Sequence, residues 1–131
     1  MFLRMTSITS LSDSHLLLET ERRTSAERAA TLAVLHCLQE IESRQLFARE
    51  GFPSLFEMCL RRFGYSEAAA LRRIDAMRLL KNVPELEMKI ETGELKLSQL
   101  AQVQAFLRIE KKDAGKSYTR EQTLDLVSSL A

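Results

Sequence analysis

Apolar residues along this chain recur mainly at spacings of three and four, the period of a helix that packs along one face. The first such stretch begins at Ser12-Asp13, either of which accepts hydrogen bonds from the free amides of a helix start. Nothing breaks a helix from there to about Arg49, and Thr31, Val34, Leu35, Leu38 and Ile41 form a stripe that faces a core. Thr24-Ser25 followed by Glu27-Arg28 would permit a restart after a bend, so the segment is expected as one long helix, whole or in two pieces. Residues 1–11 are expected to fray.

Gly51-Phe52-Pro53 ends that helix, because Gly accepts left-handed dihedrals and Pro supplies no amide donor. Ser54 with Glu57 three residues on has the spacing of a capping box, and Leu55, Phe56, Cys59 and Leu60 give a second helix its apolar face. Gly64 stands where a C-terminal cap is expected, and only Tyr65 separates it from Ser66, the N-cap of a third helix running to about Leu80. Asn82-Val83-Pro84 punctuates again, and Pro84 suits the first turn of a short helix ending at Gly93. A fifth helix starts at Leu97-Ser98 and carries Leu100, Val103 and Leu107. Asp113-Ala114-Gly115 reads as a surface turn, and Thr119 with Gln122 forms another capping box before Leu126, Val127 and Leu130. The expected fold class is all-α, with about six helices in a single domain spanning 1–131: a long first helix, a helix-turn-helix and shorter packing helices.

Composition agrees with this pattern. Four Gly and two Pro leave few breakers, and Trp is absent. A chain of this length buries roughly two thirds of its unfolded surface, so neither a disulfide nor a structural metal is required. Cys37 and Cys59 sit among apolar neighbours at helical spacing and are expected as buried, reduced thiols. The longest apolar runs, such as Leu32 to Leu35, reach four residues, far short of the about 20 that span a bilayer. Met1-Phe2-Leu3-Arg4 lacks the apolar stretch of a secretory signal, so the expected compartment is cytoplasmic, with no membrane partner. The net charge of +1 points to no partner by itself.

Chemistry concentrates between Ser54 and Lys81. Two helices joined through Phe63-Gly64-Tyr65-Ser66 have the length and turn glycine of a helix-turn-helix, whose second helix enters the major groove of DNA. At about 100° per residue, Ala70, Leu71, Ile74 and Met77 group on one side of the third helix, and Ala69, Arg72, Arg73 and Ala76 on the other. Arginines flanked by alanines suit a nucleic acid. Small side chains let the backbone approach, and a guanidinium donates paired hydrogen bonds to guanine or neutralises phosphate. Arg61 and Arg62, at the end of the preceding helix, are placed for backbone phosphates. Gly51 to Pro84 holds six basic residues against three acidic, a local excess of +3. The candidate nucleic-acid-binding residues are Arg61, Arg62, Ser66, Ala69, Arg72 and Arg73, with double-stranded DNA as partner. Leu79 and Leu80 complicate the outward face and predict that the Pro84 to Gly93 helix covers its end. The same spacing joins helices in ordinary bundles, where such arginines are a solvated face.

The run from Arg49 to Leu80, REGFPSLFEMCLRRFGYSEAAALRRIDAMRLL, resembles the helical N-terminal region of a family of bacterial HNH endonucleases. The likeness continues through Pro84-Glu-Leu, the run IETGELKLSQLAQ from Ile90 to Gln102 and the basic stretch near Lys111, and covers most of the chain from about Leu32 onward. More distantly, the chain is similar to the helix-turn-helix of ParB-type partition proteins, which also place a recognition helix before a Leu-Leu, a Pro and an Ile-x-x-Gly-x-Leu segment. In that likeness Ser66 to Arg73 match the start of the DNA-reading helix. The resemblance implies the DNA-binding, N-terminal targeting part of an HNH endonuclease-like protein. It does not extend to the nuclease, which needs a metal cation and a histidine that activates water, whereas this chain has only His15 and His36, far apart. No HNH nuclease domain, catalytic residue, metal or cofactor is expected in these residues, which are then a separated N-terminal portion of a longer enzyme or a stand-alone product that kept the binding part.

Other constellations give no site. His36 and Cys37 are adjacent on a helix and diverge by about 100°. Glu40 with Glu42, and Glu85 with Glu87, diverge likewise and form no acid-base pair. No spacing suits zinc, and Gly115-Lys116-Ser117 lacks the earlier glycine and preceding strand of a phosphate-binding loop. No small-molecule substrate is expected. The alternative function is a helical protein-interaction or dimerisation module without nucleic-acid binding, in which the stripe from Thr31 to Ile41, with Leu32 to one side, pairs with a partner or with a second copy as a homodimer.

Overall fold

The structure, a computed structural model, describes residues 8–130, so the expectation of fraying over 1–11 falls mostly outside the described residues. These hold seven α-helices, one 3-10 turn and no strand: α1 (Asp13–Arg44), α2 (Leu46–Arg49), α3 (Leu55–Arg61), α4 (Glu67–Asn82), the 3-10 turn Pro84–Leu86, α5 (Glu87–Glu91), α6 (Leu97–Ala114) and α7 (Arg120–Ser128). The class is all-α, as the periodicity predicts. The additional helix is α2, cut from the end of the long first helix. None of the described helices is long and apolar enough to cross a membrane.

The 32 residues of α1 extend about 48 Å at the helical rise. Ser12 caps it, its hydroxyl accepting from the His15 amide at 3.2 Å. The helix is not interrupted at Thr24-Ser25, where the Thr24 hydroxyl donates to the Glu21 carbonyl at 3.0 Å and so remains compatible with the helix. The break falls instead at Gln45, whose φ of 54° is left-handed and whose amide bonds back to the Glu42 and Ile41 carbonyls. The turn brings Phe47 against the core.

Two environments divide α1. Leu32, Leu35 and Leu38 are buried, with Val34 and Ile41 packed partly against them. The stripe expected to pair with another molecule is therefore occupied within the chain itself. Before Arg28 no residue of α1 is buried, and Leu16, Leu17 and Leu18 are exposed. In this outer half Glu19 accepts hydrogen bonds from Arg22 and Arg23, pairs at the spacing that stabilises a helix surface.

Helix α4 is central, packing on α1 and α3 and most extensively on α6. Neighbours on more than one side bury a wider arc than a single apolar stripe. Ala76, expected outward, is fully buried, and Leu71, expected inward, is 49% exposed. Leu79 and Leu80 are buried, as expected. The Ser54 hydroxyl accepts from the Glu57 amide at 3.1 Å, but the reciprocal half of that capping box is not made, because the Glu57 carboxylate pairs with Arg61 at 3.2 Å. At Thr119 both halves form, at 2.9 and 3.1 Å. Both cysteines are free thiols, yet only Cys59 is buried. Cys37 is exposed because it lies about 100° round the helix from Leu38, on the flank of the stripe with Val34 and Ile41.

Candidate nucleic-acid interface

The joint between α3 and α4 follows from two residues. Gly64, at φ 75°, supplies the left-handed step that lets the Tyr65 amide bond back to the Cys59 carbonyl at 3.1 Å. A β-carbon there would meet nothing within 4 Å, so the glycine is needed for its dihedral and not for space. Ser66 then takes an extended conformation, and its hydroxyl accepts from the Ala69 amide at 3.2 Å, starting α4. The result is two helices in tight succession, the second with an exposed beginning: Glu67, Ala68, Leu71 and Arg72 all face solvent.

The six candidate residues divide into different environments. Arg72 is exposed, and no ion-pair partner reaches it among the described residues. Arg73 behaves differently. Its guanidinium lies 4.5 Å from the Tyr65 ring centroid, and its Nη1 donates to the Ala69 carbonyl at 3.1 Å. It is also close enough to Cys59 to oppose, in part, the upward push that burial gives that thiol's pKa. Arg72 and Arg73 therefore do not project together; one points to solvent and the other is folded over the turn. Ser66 serves as the cap and Ala69 is half-buried. Arg61 pairs with Glu57, and Arg62 with Glu50 at 2.7 Å, both on the surface. Arg78 reaches Glu42 on α1 at 2.7 Å. Of the six basic residues between Gly51 and Pro84, only Arg72 and Lys81 keep neither an ionic nor an aromatic partner among the described residues, so most of these side chains are engaged in place.

The packing of α4 on α6 adds cations that the candidate set lacks. Asp75, one turn beyond Arg72, is buried, and Arg108 of α6 bonds it with Nη1 to Oδ1 at 2.5 Å. Arg108 is itself half exposed, and beyond it Lys111, Lys112 and Lys116 line a hollow on the same helix and the segment after it. These cations run from Arg108, which meets the middle of α4 at Asp75, to the end of α6 and the segment after it. The lysines are visible in the sequence as a run, but Arg108 lies 33 residues from Asp75, and their proximity exists only once the two helices pack.

The remaining polar groups are tied into the fold. His36 Nε2 pairs with the Glu87 carboxylate, joining α1 to α5, and does not address Cys37. Arg120 pairs with Glu85, whose carboxyl is held below its ordinary range by a backbone hydrogen bond and by that guanidinium. Glu40 pairs with Arg44 at 2.7 Å. Among the described residues no group of three or more His, Cys, Asp or Glu is placed to hold a metal ion. No known protein-family model, curated protein or solved structure matches this chain.

Proposed function

We propose that this chain is a DNA-binding module of helix-turn-helix type, in which the first two turns of α4 enter the major groove. The observation that carries this reading is a capped helix whose exposed start holds an arginine, Arg72, with no ion-pair partner among the described residues. A groove about 12 Å wide admits a helix, and Ala68 is small enough to let the backbone approach a base edge. Leu71 offers an apolar contact for a thymine methyl, and Arg72 a bidentate one for guanine. The resemblance at Arg49 to Leu80 supports the same assignment, the targeting part of a bacterial HNH endonuclease-like protein, acting in the cytoplasm without a nuclease domain in these residues. Anisotropy of labelled duplexes over a salt series tests it. Counterion release predicts that log K falls linearly with log salt, with a slope of about −0.9 for each phosphate neutralised. Absence of duplex binding at low salt would remove the assignment.

A second reading is favoured by the outer half of α1, whose Leu16, Leu17 and Leu18 are exposed on a stretch in which no described residue before Arg28 is buried. Two copies would pair through this half, giving the homodimer with which many helix-turn-helix proteins span two half-sites. Light scattering across a concentration series would show a dimer that Leu17→Glu with Leu18→Glu dissociates. A mass that stays monomeric throughout would exclude the pairing.

A further inference from the structure

An open hollow of about 550 Å³ lies between the C-terminal end of α4, the second half of α6 and the segment that follows. Arg108, Lys111, Lys112 and Lys116 line it. Arg108 already bonds Asp75, but the three lysines have no ion-pair partner among the described residues. The adjacent Glu110 makes no ion pair with them among the described residues; its carboxylate accepts the Tyr118 hydroxyl at 2.9 Å. Part of this charge has a local use: Lys111 and Lys112 stand in the last turn of α6, where cations offset the helix dipole. Lys116 lies beyond that turn. Gly115, at φ 64°, reverses the chain so that the Lys116 amide bonds to the Glu110 carbonyl at 3.2 Å and its side chain joins the same hollow. Three like charges gathered around one space repel each other until an anion enters it.

Neutral groups complete the lining. Asn82 and Ser117 supply donors, and Gln104, which also lines the hollow, has a side-chain oxygen that is buried without a hydrogen-bond partner. A half turn of that carboxamide exchanges the acceptor for a donor. The volume falls in the range of about 300–1,000 Å³ common among small-molecule clefts.

We propose that this hollow is a binding site for phosphate groups, presented either by a free phosphate ester or by the backbone of a nucleic acid. The cations neutralise the anion, and Asn82, Ser117 and Gln104 orient it. Arg108 connects the site to the middle of α4 through Asp75, so a duplex must extend along that helix from its start toward Asn82 for its backbone to reach these lysines.

The test is an amide-shift titration by NMR of the full chain, first with inorganic pyrophosphate and then with a short duplex, repeated on the variant combining Lys111→Ala, Lys112→Ala and Lys116→Ala. All three lysines are exposed, and circular dichroism checks that the fold is kept. Saturable shifts at Asn82, Gln104, Ser117 and Tyr118 are expected, weakened roughly threefold to a hundredfold in the variant, since exposed ion pairs contribute about 1.4-fold to fivefold each. Competition between duplex and pyrophosphate assigns the site to backbone phosphate; pyrophosphate that the duplex fails to displace assigns it to a free ester. Absence of saturable shifts at these amides with both probes, or equal affinity in the variant, overturns the proposal. Duplex shifts confined to 66–73 with no pyrophosphate shifts at the hollow would overturn it while leaving the helix-turn-helix assignment intact, and pyrophosphate shifts at the hollow without any duplex binding would do the reverse.

Discussion

The contrast between two adjacent arginines gives a quantitative test. Arg73 spends its charge inside the fold, on the Tyr65 ring at 4.5 Å and the Ala69 carbonyl at 3.1 Å, whereas Arg72 spends none. Arg73→Ala removes a partly shielded cation–π contact and a hydrogen bond from a charged donor, together about 1–2 kcal/mol. For a chain of this size that is a fall in Tm of roughly 3–10 °C. Arg72→Ala removes an exposed side chain in a helix, and its stability change is expected within about 0.5 kcal/mol. Binding should respond in the opposite order: loss of a base contact at Arg72 costs about 1–3 kcal/mol and relaxes the sequence preference. Urea unfolding followed by circular dichroism and duplex anisotropy in one buffer measure both quantities. Tyr65→Leu with and without Arg73→Ala closes a cycle in which the pair should couple by at least about 0.5 kcal/mol. Equal destabilisation by the two arginine variants, or a larger binding loss from Arg73→Ala than from Arg72→Ala, would refute the assignment of roles.

Three further outcomes follow from the same geometry. Arg108→Ala leaves the buried Asp75 carboxylate without its partner and should cost about 1–3 kcal/mol in urea unfolding, while Arg108→Ala combined with Asp75→Asn recovers part of that loss; an unchanged midpoint would contradict the buried pair. Cys37 should react with a thiol reagent in the native state and Cys59 only on unfolding, since burial shields that thiol and raises its pKa, which mass spectrometry of labelled peptides decides. Glu19 should titrate by NMR at about 2 instead of the ordinary 4.5, because Arg22 first and then Arg23 hydrogen-bond its carboxylate. A depressed pKa means that this pairing supports the outer half of α1 above pH 4.5 and is lost as pH falls through about 2, and a midpoint near 4.5 would show that the pair does not persist in solution.

Helices and their ends were legible in the sequence wherever the cause is local. Ser12, Ser54, Ser66 and Thr119 each cap a helix because a hydroxyl three residues before a free amide needs no tertiary help. Gly64 likewise announces the turn of the helix-turn-helix through its dihedral alone. What depends on packing was not legible. The left-handed Gln45 carries no propensity signal; the turn there lets Phe47 return to the core. A one-stripe reading of α4 misplaced Leu71 and Ala76 because neighbours meet that helix on more than one side. It also placed Arg73 outward, since nothing in the spacing says that Tyr65 offers a ring beneath it. Local charge counting had the same weakness. Part of the excess around α4 is offset by Glu50 and Glu42, which pair with Arg62 and Arg78 from outside the counted segment. The further cations near the end of the helix come from α6 and the segment after it, which only the packed fold brings near.

A photo-crosslinking residue at Ala68, on the exposed first turn of α4, tests the central claim most directly, with the same residue at Leu17 on the outer half of α1 as control. On irradiation with duplex DNA, the Ala68 probe should form a salt-sensitive covalent adduct and the Leu17 probe should not. Adducts through Leu17 with none through Ala68 would place the DNA elsewhere on the molecule and remove α4 as the reading helix.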